Sequence, residues 1–276
     1  MGPPAVNEDL LRADAFARRM LSQLSTDVIA FEGGVAYLDS DFPLRYDSNL
    51  LWVDDPESAP AERWIEEAER ILGGRGYRHR KVMVSEPDAV QRLAPGFADH
   101  GYTLDGGVLM VQRGVPDRPP DTTIVEEMTY DEVRPLLEDI QRHSRAATDD
   151  EIVRTLTDHA GKLAEMAGAR FFVATSEGRP AGCCQLFVDG DEAQVESVET
   201  LEEFRGRGLA RAFVLAAAEA GREAGANWVH LWADTDDWPQ HWYRRLGFHE
   251  AATTSNFERW PEAETAAIAA AKSPEA

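Results

Sequence analysis

The sequence predicts an α+β protein of two tandem domains, each a mixed but mostly antiparallel twisted sheet flanked by helices. Three observations carry that expectation. The apolar run "RFFVATSEGRPAGCCQLFVDGDEAQVESVETL" is broken by Glu177-Gly178 and Asp189-Gly190, turn signals that divide it into three consecutive antiparallel strands. The third strand, 193–200, enters a glycine-arginine turn, "EEFRGRGLARAF", and then a helix whose apolar stripe is Leu209, Phe213, Ala216, Ala217 and Ala220. The first half of the chain repeats a strand-helix-strand-helix order in weaker form.

Taken in order, Asn7 can cap a helix running to about Leu24, "DVIAFEGGVAYLD" reads as a hairpin and "SNLLWVDD" as a further strand. "AERWIEEAERIL" is helical and "YRHRKVMV" a strand, followed by "GFADHGY". Three prolines among charges in "RGVPDRPPD" mark a linker at 113–121 between a first domain, 1–112, and a second, 122–260. In the second domain a strand at 122–127 precedes helical sequence over 130–167, interrupted near "SRAATDDE". After the meander and the glycine-arginine helix, which ends near Gly225, "NWVHLWA" is a strand. "WPQHWYRRL" is a short helix with Pro239 in its first turn, and "GFHEAATTSNFERW" a closing strand pair. The tail 261–276, rich in alanine, reads as a frayed helix or flexible segment without a function.

Composition limits the partners. The 276 residues carry a formal net charge of -22, which repels nucleic acid and anionic membranes and makes Arg205, Arg207 and Arg211 a local cluster, not part of a basic face. Cations at the start of a helix oppose its dipole, whereas the free N–H groups there favour an anion. A small anion among the arginines reconciles the two. Hydrophobic residues at 43% and seven tryptophans supply substantial cores. Neither a signal-peptide h-region nor an apolar stretch of membrane-spanning length is present, which predicts a cytoplasmic protein. Adjacent Cys183 and Cys184 suit reduced strand residues. The seven histidines form no metal-binding spacing, and nucleophile-elbow and phosphate-loop motifs are missing, so no metal is expected.

Residues 122–260 resemble the GNAT acetyltransferase family, on two motifs in order. The acetyl-CoA signature appears as Arg205, Gly208 and Ala210 in "RGRGLA", and a tyrosine before Leu-Gly-Phe appears as Tyr243 in "WYRRLGF". The resemblance implies N-acetylation of a primary amine by acetyl-CoA through direct attack in a ternary complex. It also implies cofactor contacts from Val198, Glu199 and Thr200 on the strand, and from Arg205, Gly206, Arg207, Gly208, Leu209, Ala210 and Arg211 in the turn and helix. Glycines admit close backbone approach to the pyrophosphate, and the helix start and arginines supply positive potential. Glu202 and Glu203 depart from that pattern and are expected to face solvent. Tyr243 becomes the general acid and Glu196 the base, with Glu199 or a water chain as alternatives. Strand parity sets Gln194, Glu196 and Val198 on one face and Ser197 and Glu199 on the other. Asp236 stands where the family often has asparagine beside pantetheine, and it suits a helix N-cap equally.

Against the second half, Phe97 falls on Tyr243, Gly101 on Gly247 and Tyr102 on Phe248. We read a duplication whose first copy is degenerate, because "DDPESAPAERW" has no glycine and phenylalanine donates no proton. The acidic surroundings with Trp232, Trp238 and Trp242 suggest a cationic, partly apolar small-molecule amine. Protein amines stay open, monomer and dimer both fit, and a catalytically silent acyl-CoA-binding or protein-interaction module is the alternative.

Overall fold

Asn7 accepts a hydrogen bond from the Leu10 N–H at 3.1 Å and so starts α1 (Glu8–Leu24) in the computed structural model, which describes residues 7–143, 150–235 and 239–261. Then follow β1 (Asp27–Phe31), β2 (Gly34–Leu38), β3 (Leu50–Val53), α2 (Ala61–Ile71), β4 (Arg80–Val84), α3 (Pro87–Asp99) and β5 (Thr103–Gln112). The second half runs β6 (Val125–Met128), α4 (Tyr130–His143), α5 (Asp150–Ala167), β7 (Arg170–Ser176), β8 (Arg179–Asp189), β9 (Glu192–Thr200) and α6 (Leu209–Glu223). It ends with β10 (Trp228–Asp234), α7 (Pro239–Arg244) and β11 (Phe248–Arg259). The described residues form two compact units, one up to Gly107 and again from Thr253, the other Val108–Ala252.

In the first unit the strand order is β1-β2-β3-β4, and the last part of β11 follows, pairing antiparallel with β4 from Ser255↔Val84 to Arg259↔Arg80. Amphipathic α2 places Trp64, Ile65, Ala68 and Ile71 in the core with Val82, Phe97 and Phe257. Phe97 stacks on Phe257 at 4.0 Å between ring centroids. Beside this core Lys81 of β4 reaches Asp47 and Glu258, each at 2.7 Å. Both carboxylates accept from the one buried ammonium, and Arg45 supplies a second cation to Asp47 at 3.0 Å.

In the second unit the order is β6-β7-β8-β9-β10, then the last part of β5, then the first part of β11. The β7–β8 turn has Glu177 at φ 52° and Gly178 at φ 78°, the left-handed pair that matches hairpin twist. α6 packs on one face of this sheet: Cys184 Sγ lies 3.6 Å from the Phe213 carbonyl oxygen, and a Cβ on Gly221 would meet Ala193 and Leu186. The other face carries Phe171, whose ring is 6.4 Å from that of Tyr130 on α4, so α4 stands opposite α6.

The division differs from one at 112 and 122. β5 and β11 each begin in one unit and end in the other, and each unit's sheet includes a strand segment from the other half of the chain. "GFHEAATTSNFERW" is therefore one twelve-residue strand, not a pair. Its middle, Ala-Ala-Thr-Thr, contains no glycine, proline or asparagine to turn the chain. Residues 122–124 form a 3₁₀ turn capped by Asp121, which delays β6 to Val125.

Candidate functional site

β9 and β10 are parallel neighbours over a short stretch only, with Trp228↔Glu192, Val229↔Ala193 and His230↔Gln194 in register. Beyond Gln194 the two strands part, while β9 stays paired to β8 as far as Gly182↔Thr200. The register against β8 shifts between Cys183 and Gln185, so Glu199 faces Cys183 and Glu196 faces Gln185. Ser197, at φ 51°, is the residue that absorbs the shift as a bulge.

The bulge overturns simple alternation. Residues directly opposite on an antiparallel pair share a face, and Cys183 and Gln185 both lie on the face away from Cys184 and α6. Glu196 and Glu199 therefore stand on the same face, with Gln194, and not on opposite faces as strict parity predicts. Thr200 lies on the α6 face, where a Cβ on Gly182 would come 3.0 Å from its Oγ1 and 3.1 Å from the Phe213 ring. Val198, half-buried, lies between the bulge and Glu199.

The two carboxylates have different environments. Gln194 Nε2 donates to Glu196 Oε1 at 2.6 Å, a bond that favours the charged carboxylate. Glu199 reaches solvent, yet surrounding protein crowds its carboxyl and raises its proton affinity above the ordinary value of 4.5, with Arg205 pulling the other way. Burial likewise pushes the Cys183 thiol up to about 12, and Glu199 adds to it, so both free cysteines are neutral strand residues.

Past β9 the chain makes a 3₁₀ turn over Glu202–Phe204, then Gly206 at φ 75° and Gly208 at φ 83° lead into α6. Side chains rarely adopt such φ values, so glycine is required at both. A Cβ there would meet nothing within 4 Å, and no side chain caps the first turn of α6. Open space over exposed backbone at a helix start fits a phosphate-bearing group such as the pyrophosphate of acetyl-CoA. Arg205 and Arg207 are exposed beside it; Arg205 Nε donates to the Thr200 carbonyl at 3.2 Å, and Arg207 pairs with Glu177. Leu209 is buried and Ala210 half-buried at the helix start.

Arg211 does something else. It is buried and donates to Asp117 Oδ1 at 2.5 Å and to the Arg118 carbonyl at 3.0 Å, and Asp117 also accepts from Arg245 at 2.9 Å. Its charge is spent fastening 113–121 onto α6. Arg179, which the motif did not single out, joins the arginine group instead: it pairs with Glu203 at 2.7 Å, and its guanidinium and that of Arg207 lie 4.6 and 4.9 Å from the Phe204 ring. Glu202 and Glu203 are both exposed.

Tyr243 is 6% exposed on α7, its ring 4.9 Å from Trp242 and 6.0 Å from Phe248. Gln240 Nε2 donates to the carbonyls of Asp234 and Thr235 at 2.6 and 2.7 Å, which ties α7 to the end of β10. Trp228, His230 and Trp232 alternate onto the face that carries Glu196 and Glu199. Asp236 and Trp238 lie outside the described residues. Among the described residues, no group of three or more His, Cys, Asp or Glu could hold a metal ion, and no helix is long and apolar enough to cross a membrane.

Residues 167–250 match the family model described as an acetyltransferase (GNAT) domain. No protein of curated function matches the sequence. Among solved structures, a conserved protein of unknown function from Staphylococcus epidermidis superposes with a TM-score of 0.67 at 17% identity, over 86% of this chain and 95% of that one. A GCN5-related N-acetyltransferase from Kribbella flavida gives 0.64 at 18% identity, over 92% and 96%. A tandem GNAT protein from the clavulanic acid biosynthesis pathway gives 0.51 at 18% identity, over 82% and 78%. The parted strands, the glycine turn into α6 and the matched segment agree: residues 167–250 carry a GNAT acetyltransferase domain, within a chain that has the tandem GNAT fold.

Proposed function

We propose that the chain is a cytoplasmic N-acetyltransferase that moves the acetyl group of acetyl-CoA to a primary amine, with its chemistry in the second unit. The observation that carries this reading is the parting of β9 from β10 just before an uncapped helix start with two left-handed glycines. Backbone at Gly206, Gly208, Leu209 and Ala210, with Arg205 and Arg207, would hold the pyrophosphate, and the β9 backbone at Val198, Glu199 and Thr200 would pair with the pantetheine arm. Acetyl-CoA supplies an acyl carbon activated by a thiolate leaving group.

The residues then divide the proton traffic. The amine nitrogen would add to the acyl carbon, moving the C=O electrons onto oxygen, and collapse of that tetrahedral adduct would then break the carbon–sulfur bond. The nitrogen's proton goes to a β9 carboxylate, and the departing sulfur takes one from the Tyr243 hydroxyl. A β9 N–H stabilises the oxyanion between these events. Glu199 is the better base, since crowding raises its proton affinity, while one oxygen of Glu196 is already engaged by Gln194. The bulge puts both glutamates on one face, so strand face alone does not favour Glu196.

The first unit is proposed to bind no CoA. Ala61, at the start of α2, is buried, and a Cβ on Gly96 would lie 2.7 Å from its own, so α3 covers the helix start that α6 leaves open. Arg92 donates to the Pro56 carbonyl and pairs with Glu57 at 3.4 Å across that loop. Phe97, in the position of Tyr243, is core.

Thiol release from acetyl-CoA against a broad panel of amines tests the activity. Binding of acetyl-CoA with no release for any amine would fit the silent acyl-CoA-binding module instead. The base has its own test. A protonated carboxyl cannot take the amine's proton, so kcat/KM should rise with pH through the Glu199 pKa, at a midpoint raised above the ordinary carboxylate value by its crowding and held back by Arg205. Glu199→Gln should abolish that limb. A profile superimposable on the wild type would move the role to Glu196 or to a water chain.

A further inference from the structure

We propose that the acceptor amine carries a second cationic group, with Glu199 receiving the proton of the reacting nitrogen while Glu196 and Gln185 hold the second group. The inference rests on the acetyltransferase reading and narrows its substrate class to diamines and their like.

The bulge at Ser197 makes this arrangement. Glu196 and Glu199 face Gln185 and Cys183, which are two residues and so about 7 Å apart along β8, and both carboxylates rise from one face. Two carboxylates alone would be a solvated acidic patch. Gln185 is the independent observation: it is 5% exposed, directly opposite Glu196, and its buried Oε1 accepts no hydrogen bond. Buried acceptors without a donor are rare in folded proteins. A ligand group rich in N–H donors, such as an ammonium or guanidinium, meets both this acceptor and the adjacent carboxylate.

The rest of the face agrees with a cation on an apolar spacer. Gln194 Nε2 donates to Glu196 Oε1 at 2.6 Å, which orients that carboxylate. Half-buried Trp232 supplies aromatic surface on the same side, with Trp228 and His230 buried along the strand from it, suited to a methylene chain and to cation–π contact. The division of roles also explains why one short strand bears two glutamates: one anchors and the other exchanges a proton.

The test compares thiol release for diaminobutane and diaminopentane with that for butylamine and pentylamine. The wild type should favour the diamines in kcat/KM by about tenfold or more, chiefly through KM, the gain expected of one hydrogen-bonded charged contact. Glu196→Gln and Gln185→Leu should each bring the diamine-to-monoamine ratio towards one. Calorimetric titration with diaminobutane should show binding to the wild type that Glu196→Gln weakens by a similar factor. Equal treatment of diamines and monoamines by the wild type, or a Glu196→Gln variant that keeps the ratio, overturns the inference alone. Absence of thiol release with every amine, while acetyl-CoA binds, overturns the acetyltransferase reading and the inference with it.

Discussion

Replacing Tyr243 with phenylalanine is expected to lower turnover by about 10²- to 10⁴-fold, the usual contribution of a general acid. Acetyl-CoA affinity should stay near that of the wild type, because a proton given to a departing sulfur is felt in the transition state and hardly in the ground state. The fold should not suffer. Phenylalanine keeps the ring contacts with Trp242 and Phe248, and the first unit already carries Phe97 as core at the matching place. Single-turnover thiol release with calorimetry on the same protein separates the two quantities. An unchanged chemical rate would remove Tyr243 from the mechanism.

Reversal of Arg205 and Arg207 to glutamate together is the second expected large effect. One acetyl-CoA should bind per wild-type chain, and the double variant should lose about 10²-fold or more in affinity. In the proposed site each arginine would give a charge-assisted contact to phosphate, and the new carboxylates would add repulsion beside Glu177 and Glu203. Arg211→Glu is a contrast: its expected cost is thermal stability, since it takes from buried Arg211 its pairing with exposed Asp117 and leaves a carboxylate in its place, and not a first-order loss of phosphate contact. A stoichiometry of two, or unchanged affinity in the double variant, would defeat the assignment of binding to the second unit.

Local chemistry was legible in the sequence wherever a residue type forces a conformation. Asn7 as a cap, Glu177-Gly178 as a hairpin turn and Gly206 and Gly208 before α6 all stand as expected. What the sequence hid depends on long-range pairing. Ser197 is an ordinary residue in an alternating strand, and only its register against β8 shows that the alternation breaks there. Arg211 looks equivalent to Arg205 and Arg207 until Asp117, far away in the chain, is seen to hold it. Gln185 was visible only as a polar letter in an apolar run, a signal that would have singled it out had the strand's two faces been known.

The passage of β5 and β11 from one unit to the other governs how the chain can acquire its structure as it is made. β4 is synthesised early, yet Val84 and Arg80 find partners only when Ser255 and Arg259 emerge. At about 5–20 residues per second, on the order of ten seconds or more separate the two events. Through that interval the edge of β4 is open to other strands, and Lys81 lacks Glu258. A duplicated ancestor with self-contained halves would have finished one before starting the other. This chain cannot, so cutting it at 113–121 should yield two fragments that each lack a strand segment, and a slow phase in refolding should track the arrival of the C-terminal strand.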